Sequence, residues 1–83
     1  MTKEIVFEKI SKIIADHLGP YLDTEIKMES SIADDLDMDS MDVLCIVYMM
    51  ELNLKITIES DRLATFNTVE DLVNVAMEKL NVK

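Results

Sequence analysis

Residues 34–50 read DDLDMDSMDVLCIVYMM, a dense run of acids that passes at Asp42 into an almost wholly apolar stretch. From Met41 to Met50, nine of ten positions are apolar. Asp39 or Ser40 can cap the start, and Asp42 falls in the first turn, where a carboxylate favours the positive end of a helix dipole. The spacing predicts a helix over about 40–53. Val43, Ile46, Val47, Met50 and Leu54 share one face, while Met41, Leu44, Cys45, Tyr48 and Leu52 share the opposite one. One apolar face is enough for the core of a small bundle, so the second is surplus.

Upstream, Val6, Ile10, Ile13, Ile14 and Leu18 recur at helical steps, with Lys3, Glu4, Glu8, Lys9, Lys12 and Asp16 on the other side. This predicts an amphipathic helix over about 3–18. Gly19 suits the left-handed position past its end, and Pro20 cannot continue it. Residues 20–39 show no sustained period, but Leu22, Ile26, Met28, Ile32 and Leu36 are spaced as anchors for a long loop. Ser31 followed by Asp34 can cap a short turn within it. Downstream, Leu54–Glu59 alternates like a strand with nothing to pair with, so it reads as an extended connector. A short helical turn is expected near 59–64. Thr68 with Asp71 resembles a capping box before the stripe Val69, Leu72, Val73, Ala76, Met77, Leu80, which predicts a last helix over about 69–80. The expected fold is all-α: a four-helix bundle with a long first loop and a short third helix, one domain spanning residues 1–83.

The whole chain bounds the function. Its 83 residues carry 17 acidic against 8 basic side chains, a formal net charge of −9. The hydrophobic fraction of 49% is too high for a disordered acidic tail. The charge excess disfavours nucleic acid and anionic membrane surfaces, both of which draw affinity from Lys and Arg. No apolar run approaches the ~20 residues that span a bilayer, and no signal-peptide pattern opens the chain, so a cytoplasmic location is expected. One cysteine excludes an internal disulfide framework and a multi-Cys zinc site.

The acids are segregated. Between Met28 and Leu54 lie seven carboxylates (residues 29, 34, 35, 37, 39, 42 and 51) and no Lys, Arg or His. Ser40 sits among them, at the mouth of a helix and the end of the long loop. Three readings compete. Ser40 or Asp39 can simply cap the helix. Asp35, Asp37 and Asp39 alternate like the opening of a calcium loop, but the Gly and bidentate Glu that such a loop needs are here Ser40 and Ile46. No specific metal site is therefore expected.

The third reading is a resemblance. Helix, long anchored loop, Asp-Leu-x-x-Asp-Ser-x-Asp, apolar helix, short turn and last helix resemble the acyl carrier protein family over nearly the whole chain. Ile-Ile-Ala-Asp-His-Leu-Gly (13–19) resembles that family's first-helix ending. Residues 34–42 resemble its EDLGADSLD segment, and Thr68-Val-Glu-Asp-Leu-Val its last-helix opening. The resemblance implies that Ser40 is where 4'-phosphopantetheine is attached by a phosphopantetheinyl transferase, from coenzyme A. The arm's thiol would carry acyl groups as thioesters, making the protein a monomeric carrier and not an enzyme. It implies a docking face of Met41, Leu44 and Tyr48, rimmed by Asp35, Asp39, Asp42 and Glu51, for acyl-transferring and acyl-modifying enzymes with basic patches. Val43, Ile46, Val47, Met50 and Ile58 are expected near the acyl chain. Five of the seven methionines lie between residues 28 and 50, as would suit a core that parts for cargo.

Other residues read more plainly. His17 is expected to be a partly buried structural histidine, and Cys45 a small apolar helix residue without a supporting catalytic motif. Three features depart from the family pattern. Asp37 stands where Gly is usual, the helix has Cys45, Leu52 and Asn53 where Glu is common, and the loop is slightly long. These hint at a specialised pathway. Two alternatives share the shape: an aminoacyl or D-alanyl carrier, and an unmodified carrier-shaped interaction domain.

Overall fold

A computed structural model describes residues 2–80, which form three α-helices and two short 3-10 segments in the order expected for an all-α bundle. Helix α1 spans Lys3–Leu18. Its start, which the sequence left uncapped, is closed by Thr2, whose Oγ1 accepts from the Ile5 N–H at 3.2 Å. Val6, Ile10, Ile13 and Ile14 turn inward. Gly19 ends the helix at φ +55°, ψ −128°. That is not the left-handed helical basin anticipated but a region open essentially to glycine alone. A Cβ at Gly19 would meet nothing within 4 Å, so the demand comes from the backbone and not from crowding. A 3-10 turn, Gly19–Tyr21, follows with Pro20 inside it.

Helix α2 spans Ser40–Leu54 and buries Val43, Ile46, Val47, Met50 and Leu54. It ends on Lys55 at φ +57°, ψ +50°, a left-handed stop made without glycine. The Lys55 N–H donates to the Glu51 carbonyl there. The connector 56–59 has no regular secondary structure, its last residue Glu59 is extended, and its Ile58 is buried. The short third helix is a 3-10 segment, Ser60–Thr65, within which no residue is fully buried. Helix α3, Val69–Leu80, buries Val69, Leu72, Val73, Val75 and Ala76, and packs against α1 and α2. Its start carries the Thr68–Asp71 box: Asp71 Oδ2 accepts from the Thr68 N–H at 3.0 Å, and Thr68 Oγ1 from the Asp71 N–H at 3.4 Å.

The long loop is pinned to the start of α3. The Val69 N–H donates to the Ser30 carbonyl at 3.1 Å and the Glu70 N–H to the Met28 carbonyl at 2.9 Å. Two N–H groups that a helix start would otherwise leave unpaired are thus satisfied by loop backbone. The Ile32 N–H donates back to the Asn67 carbonyl at 2.9 Å, and Ser31 and Thr68 form an isolated antiparallel bridge. Ile32 and Leu36 are buried as anchors, and Leu22, Ile26 and Met28 pack part-buried against the same core. Met38, not among the expected anchors, is buried as well. The methionines of this region divide: Met38 and Met50 are in the core, Met28 is half-buried, and Met41 and Met49 face solvent. A soft core is therefore at most part of what they provide.

Candidate functional site

The acidic loop delivers the chain to α2 in a series of short steps. Ser31 Oγ accepts from the Asp34 N–H at 3.1 Å, as its capping role predicted, while Asp35 Oδ2 accepts from the Ser31 N–H at 2.7 Å. Asp37, in the place where glycine is usual, takes φ +54°. Asp tolerates this conformation better than most residues. Met38 then turns inward, its N–H donating to the Ile32 carbonyl at 3.0 Å.

Asp39 caps α2, and Ser40 does not. Asp39 Oδ1 accepts from the Asp42 N–H and Asp42 Oδ2 from the Asp39 N–H, each at 3.0 Å. Of the two caps anticipated, Asp39 serves and Ser40 is left out of the box. Ser40 is the first residue of the helix and exposed; among the described residues no hydrogen bond engages its Oγ. Asp42 is tied a third time, because His17 Nε2 lies 2.8 Å from its Oδ1. That hydrogen bond, helped by the Asp39 N–H, holds the Asp42 carboxyl below its ordinary range. His17 is exposed as a whole residue, with 28% of its side chain exposed, so it is less buried than anticipated.

A cleft of about 800 Å³ opens beside Ser40. The loop contributes Ile32 and Met38 to it, α2 contributes Ser40 and Val43, and the 3-10 segment with its exit contributes Leu63 and Phe66. Of the five residues expected near cargo, only Val43 lines it. Ile46, Val47, Met50 and Ile58 are sealed in the core instead. The walls at 31–38 and 60–67 escaped sequence reasoning because they lie apart in the chain. The Leu63–Phe66 spacing was the one local sign of an inward-facing turn.

The second face of α2 is open. Met41, Leu44, Tyr48, Met49 and Leu52 are exposed, Tyr48 by 58%, and Cys45 is exposed beside them. Asp35 and Asp39 are exposed at the helix start and Asp42 is half-buried. Glu51 behaves differently from the other acids of the expected rim. It is half-buried, and its Oε2 accepts from the Ile58 N–H at 2.8 Å, so the carboxylate braces the connector. Among the described residues, no three His, Cys, Asp or Glu side chains gather as a metal site would require. No helix among them is long and apolar enough to cross a membrane.

A family model described as the phosphopantetheine attachment site matches residues 8–76, which contain Ser40 and every wall of the cleft. The chain belongs to the acyl carrier protein family. It is 40% identical over 82 residues to an acyl carrier protein of Petrotoga mobilis, covering 99% of this chain and 95% of that one. An acyl carrier protein of Clostridium acetobutylicum is 44% identical over 71 residues, covering 84% and 90%. The crystal structure of an acyl carrier protein from Thermotoga maritima superposes with a TM-score of 0.80 at 26% identity, covering 94% of this chain and 89% of that one. Membership makes the chain a carrier with covalently attached 4'-phosphopantetheine, and not a catalyst. Enzymes that handle acyl groups are accordingly its partners.

Proposed function

We propose that the arm is attached at Ser40 and that the protein carries acyl intermediates from enzyme to enzyme of lipid biosynthesis. The observation that carries this reading is the Ser40 hydroxyl: exposed, free of capping duty, at a helix start and at the edge of an apolar cleft. The residues fit the group. A phosphodiester there meets the unpaired N–H groups and positive dipole end of α2, and the cleft offers Val43, Leu63 and Phe66 to an apolar chain. When bound, the arm supplies a thiol that holds the acyl group as a thioester.

Attachment needs one covalent exchange, catalysed by a phosphopantetheinyl transferase. The Ser40 oxygen forms a bond to the pantetheine-bearing phosphorus of coenzyme A, and the pyrophosphate P–O bond breaks. The nucleotide half leaves, and the serine proton passes to a base of the transferase. Crowded carboxylates beside Ser40 oppose bringing in another anion, so the acids are better suited to docking than to holding phosphate. Asp35, Asp39 and Asp42 mark the helix start for basic partner surfaces, and Met41, Leu44 and Tyr48 supply the apolar contact. Glu51, turned toward Ile58, contributes less than the other acids. Encounters of this kind are fast, weak and salt-sensitive, as a shuttle requires. The working form is taken to be a cytoplasmic monomer of one domain.

Departures from the family pattern at Asp37, Cys45, Leu52 and Asn53 suit a dedicated pathway. An aminoacyl or D-alanyl carrier would use the same serine; the apolar lining of the cleft favours acyl cargo. Intact-mass measurement after incubation with coenzyme A and a phosphopantetheinyl transferase tests the attachment. One arm's mass should be gained by the wild-type protein and by no Ser40→Ala variant; a Ser40→Ala variant that gains it sinks the assignment.

A further inference from the structure

We propose that His17 is a positioning residue for the modification of Ser40, acting from α1 through the Asp42 carboxylate. The inference rests on Ser40 being the attachment point. Hydrogen bonds connect the last turn of α1 to the Met38–Asp39 peptide unit, whose N–H belongs to the residue before Ser40. His17 Nε2 lies 2.8 Å from Asp42 Oδ1, Asp42 Oδ2 accepts from the Asp39 N–H at 3.0 Å, and Asp39 Oδ1 accepts from the Asp42 N–H at 3.0 Å. An ionised carboxylate only accepts, so His17 donates from Nε2 whether its ring is neutral or charged.

The need for such a brace lies in how the chain enters α2. Asp37, three residues before Ser40, holds a positive φ that a non-glycine residue adopts at a cost. Met38 is anchored by burial, but Asp39 and Ser40 are both exposed. The exposed residue Asp39 is therefore oriented by its reciprocal cap with Asp42. Asp42 in turn is oriented across the helix–helix junction by His17. The titratable residues that line surface pockets together with His17 are Lys9, Lys12 and Asp16 of α1, Asp42, Cys45 and Tyr48 of α2, and Tyr21 and Asp37 of the loop. Of these, Asp42 is the one in hydrogen-bond contact with it.

Without His17 the Asp42 side chain is free to swing away, the Asp39 N–H loses its acceptor, and the nucleophile's backbone loosens. A residue that orients the nucleophile should affect kcat of arm transfer more than KM, whereas a docking residue would affect KM. Glutamine presents an N–H donor at a similar reach and should substitute.

The experiment compares wild type, His17→Ala and His17→Gln in arm transfer from coenzyme A by a phosphopantetheinyl transferase. It also compares amide hydrogen exchange at Asp39 in the three unmodified proteins. His17→Ala should lower kcat by roughly fivefold, the scale of one weakened hydrogen bond, with KM nearly constant and Asp39 exchange faster. His17→Gln should restore most of both. In an Asp42→Ala background the His17 substitution should add nothing. Unchanged Asp39 exchange in His17→Ala overturns the inference whatever becomes of Ser40, as does a Gln variant as impaired as the Ala variant. Failure of the wild-type protein to accept any arm overturns the attachment reading instead.

Discussion

Asp39 and Asp42 cap α2 reciprocally, each carboxylate accepting the other's backbone N–H at 3.0 Å. The serine between them is left with its hydroxyl unspent. Cap and attachment are thus separable by mutation. Asp39→Ala should cost about 1 kcal/mol of stability, as loss of a helix cap typically does. Ser40→Ala should change stability by less than about 0.5 kcal/mol, as at other exposed sites. Urea melts of the two variants check this, and a Ser40→Ala loss equal to that of Asp39→Ala would contradict the assignment of the cap.

Lys55 ends α2 at φ +57° without being a glycine. A left-handed residue with a Cβ costs about 1–2 kcal/mol, against which glycine loses about 0.5–1 kcal/mol through its freer unfolded chain. Lys55→Gly should therefore stabilise the protein by about 0.5 kcal/mol or slightly more. A destabilised variant would mean that the lysine stem is packed more favourably than its exposure suggests.

The pH dependence follows from Asp42. His17 and the Asp39 N–H hold its carboxyl below the ordinary value, so the unfolded chain takes up a proton at higher pH than the folded one. The stabilisation is present in full above the unfolded value and is lost as pH falls through the folded one. Glu59, held down by Lys79, and Glu78, held down by Arg62, have the same sign. Between pH 5 and the acid limit, wild type should lose stability more steeply than Asp42→Asn. Parallel curves would exclude Asp42 as a contributor.

The net charge of −9 includes seven carboxylates in a base-free segment. Their mutual repulsion should yield to screening, so added salt or Mg²⁺ should raise the melting temperature. Ion pairs such as Arg62–Glu78 and Lys79–Glu59 are weakened by salt, but each keeps a carboxylate more than half exposed and is worth little. A melting temperature that stayed fixed or fell would show the acids to be less crowded than their spacing implies.

The cleft beside Ser40 predicts where cargo lies. Loading a medium-length saturated acyl chain should raise the melting temperature by burying apolar surface against Val43, Leu63 and Phe66. Ala64, on the same wall, offers a way to fill it. Ala64→Phe should fold, accept the arm and lose that rise. If the rise persists undiminished, the chain lies elsewhere, and the sealed core around Ile46 and Met50 becomes the place to look.

Much of this was legible in the residues. The extents of α1 and α3, the start of α2 and the Thr68–Asp71 box follow from helical spacing and local caps. These depend on neighbours within a turn or two. The open face of α2 was also legible, because a bundle this small has no use for two apolar faces. The positive φ at Asp37 was readable from a glycine's usual place, whereas the stop at Lys55 carried no such mark.

Tertiary structure alone decided which polar groups are spoken for. Nothing within one turn of Glu51 announces that it braces Ile58, nor does anything beside His17 announce Asp42, 25 residues away. The loop's register on α3 arises from backbone groups that every residue possesses, and such groups leave no signature in composition. The cleft likewise exists only because residues 31–38 and 60–67 converge on Ser40. The amino-acid sequence determined the helices and the serine through short-range periodicity and capping; long-range packing determined which acids remain free and what space opens beside that serine.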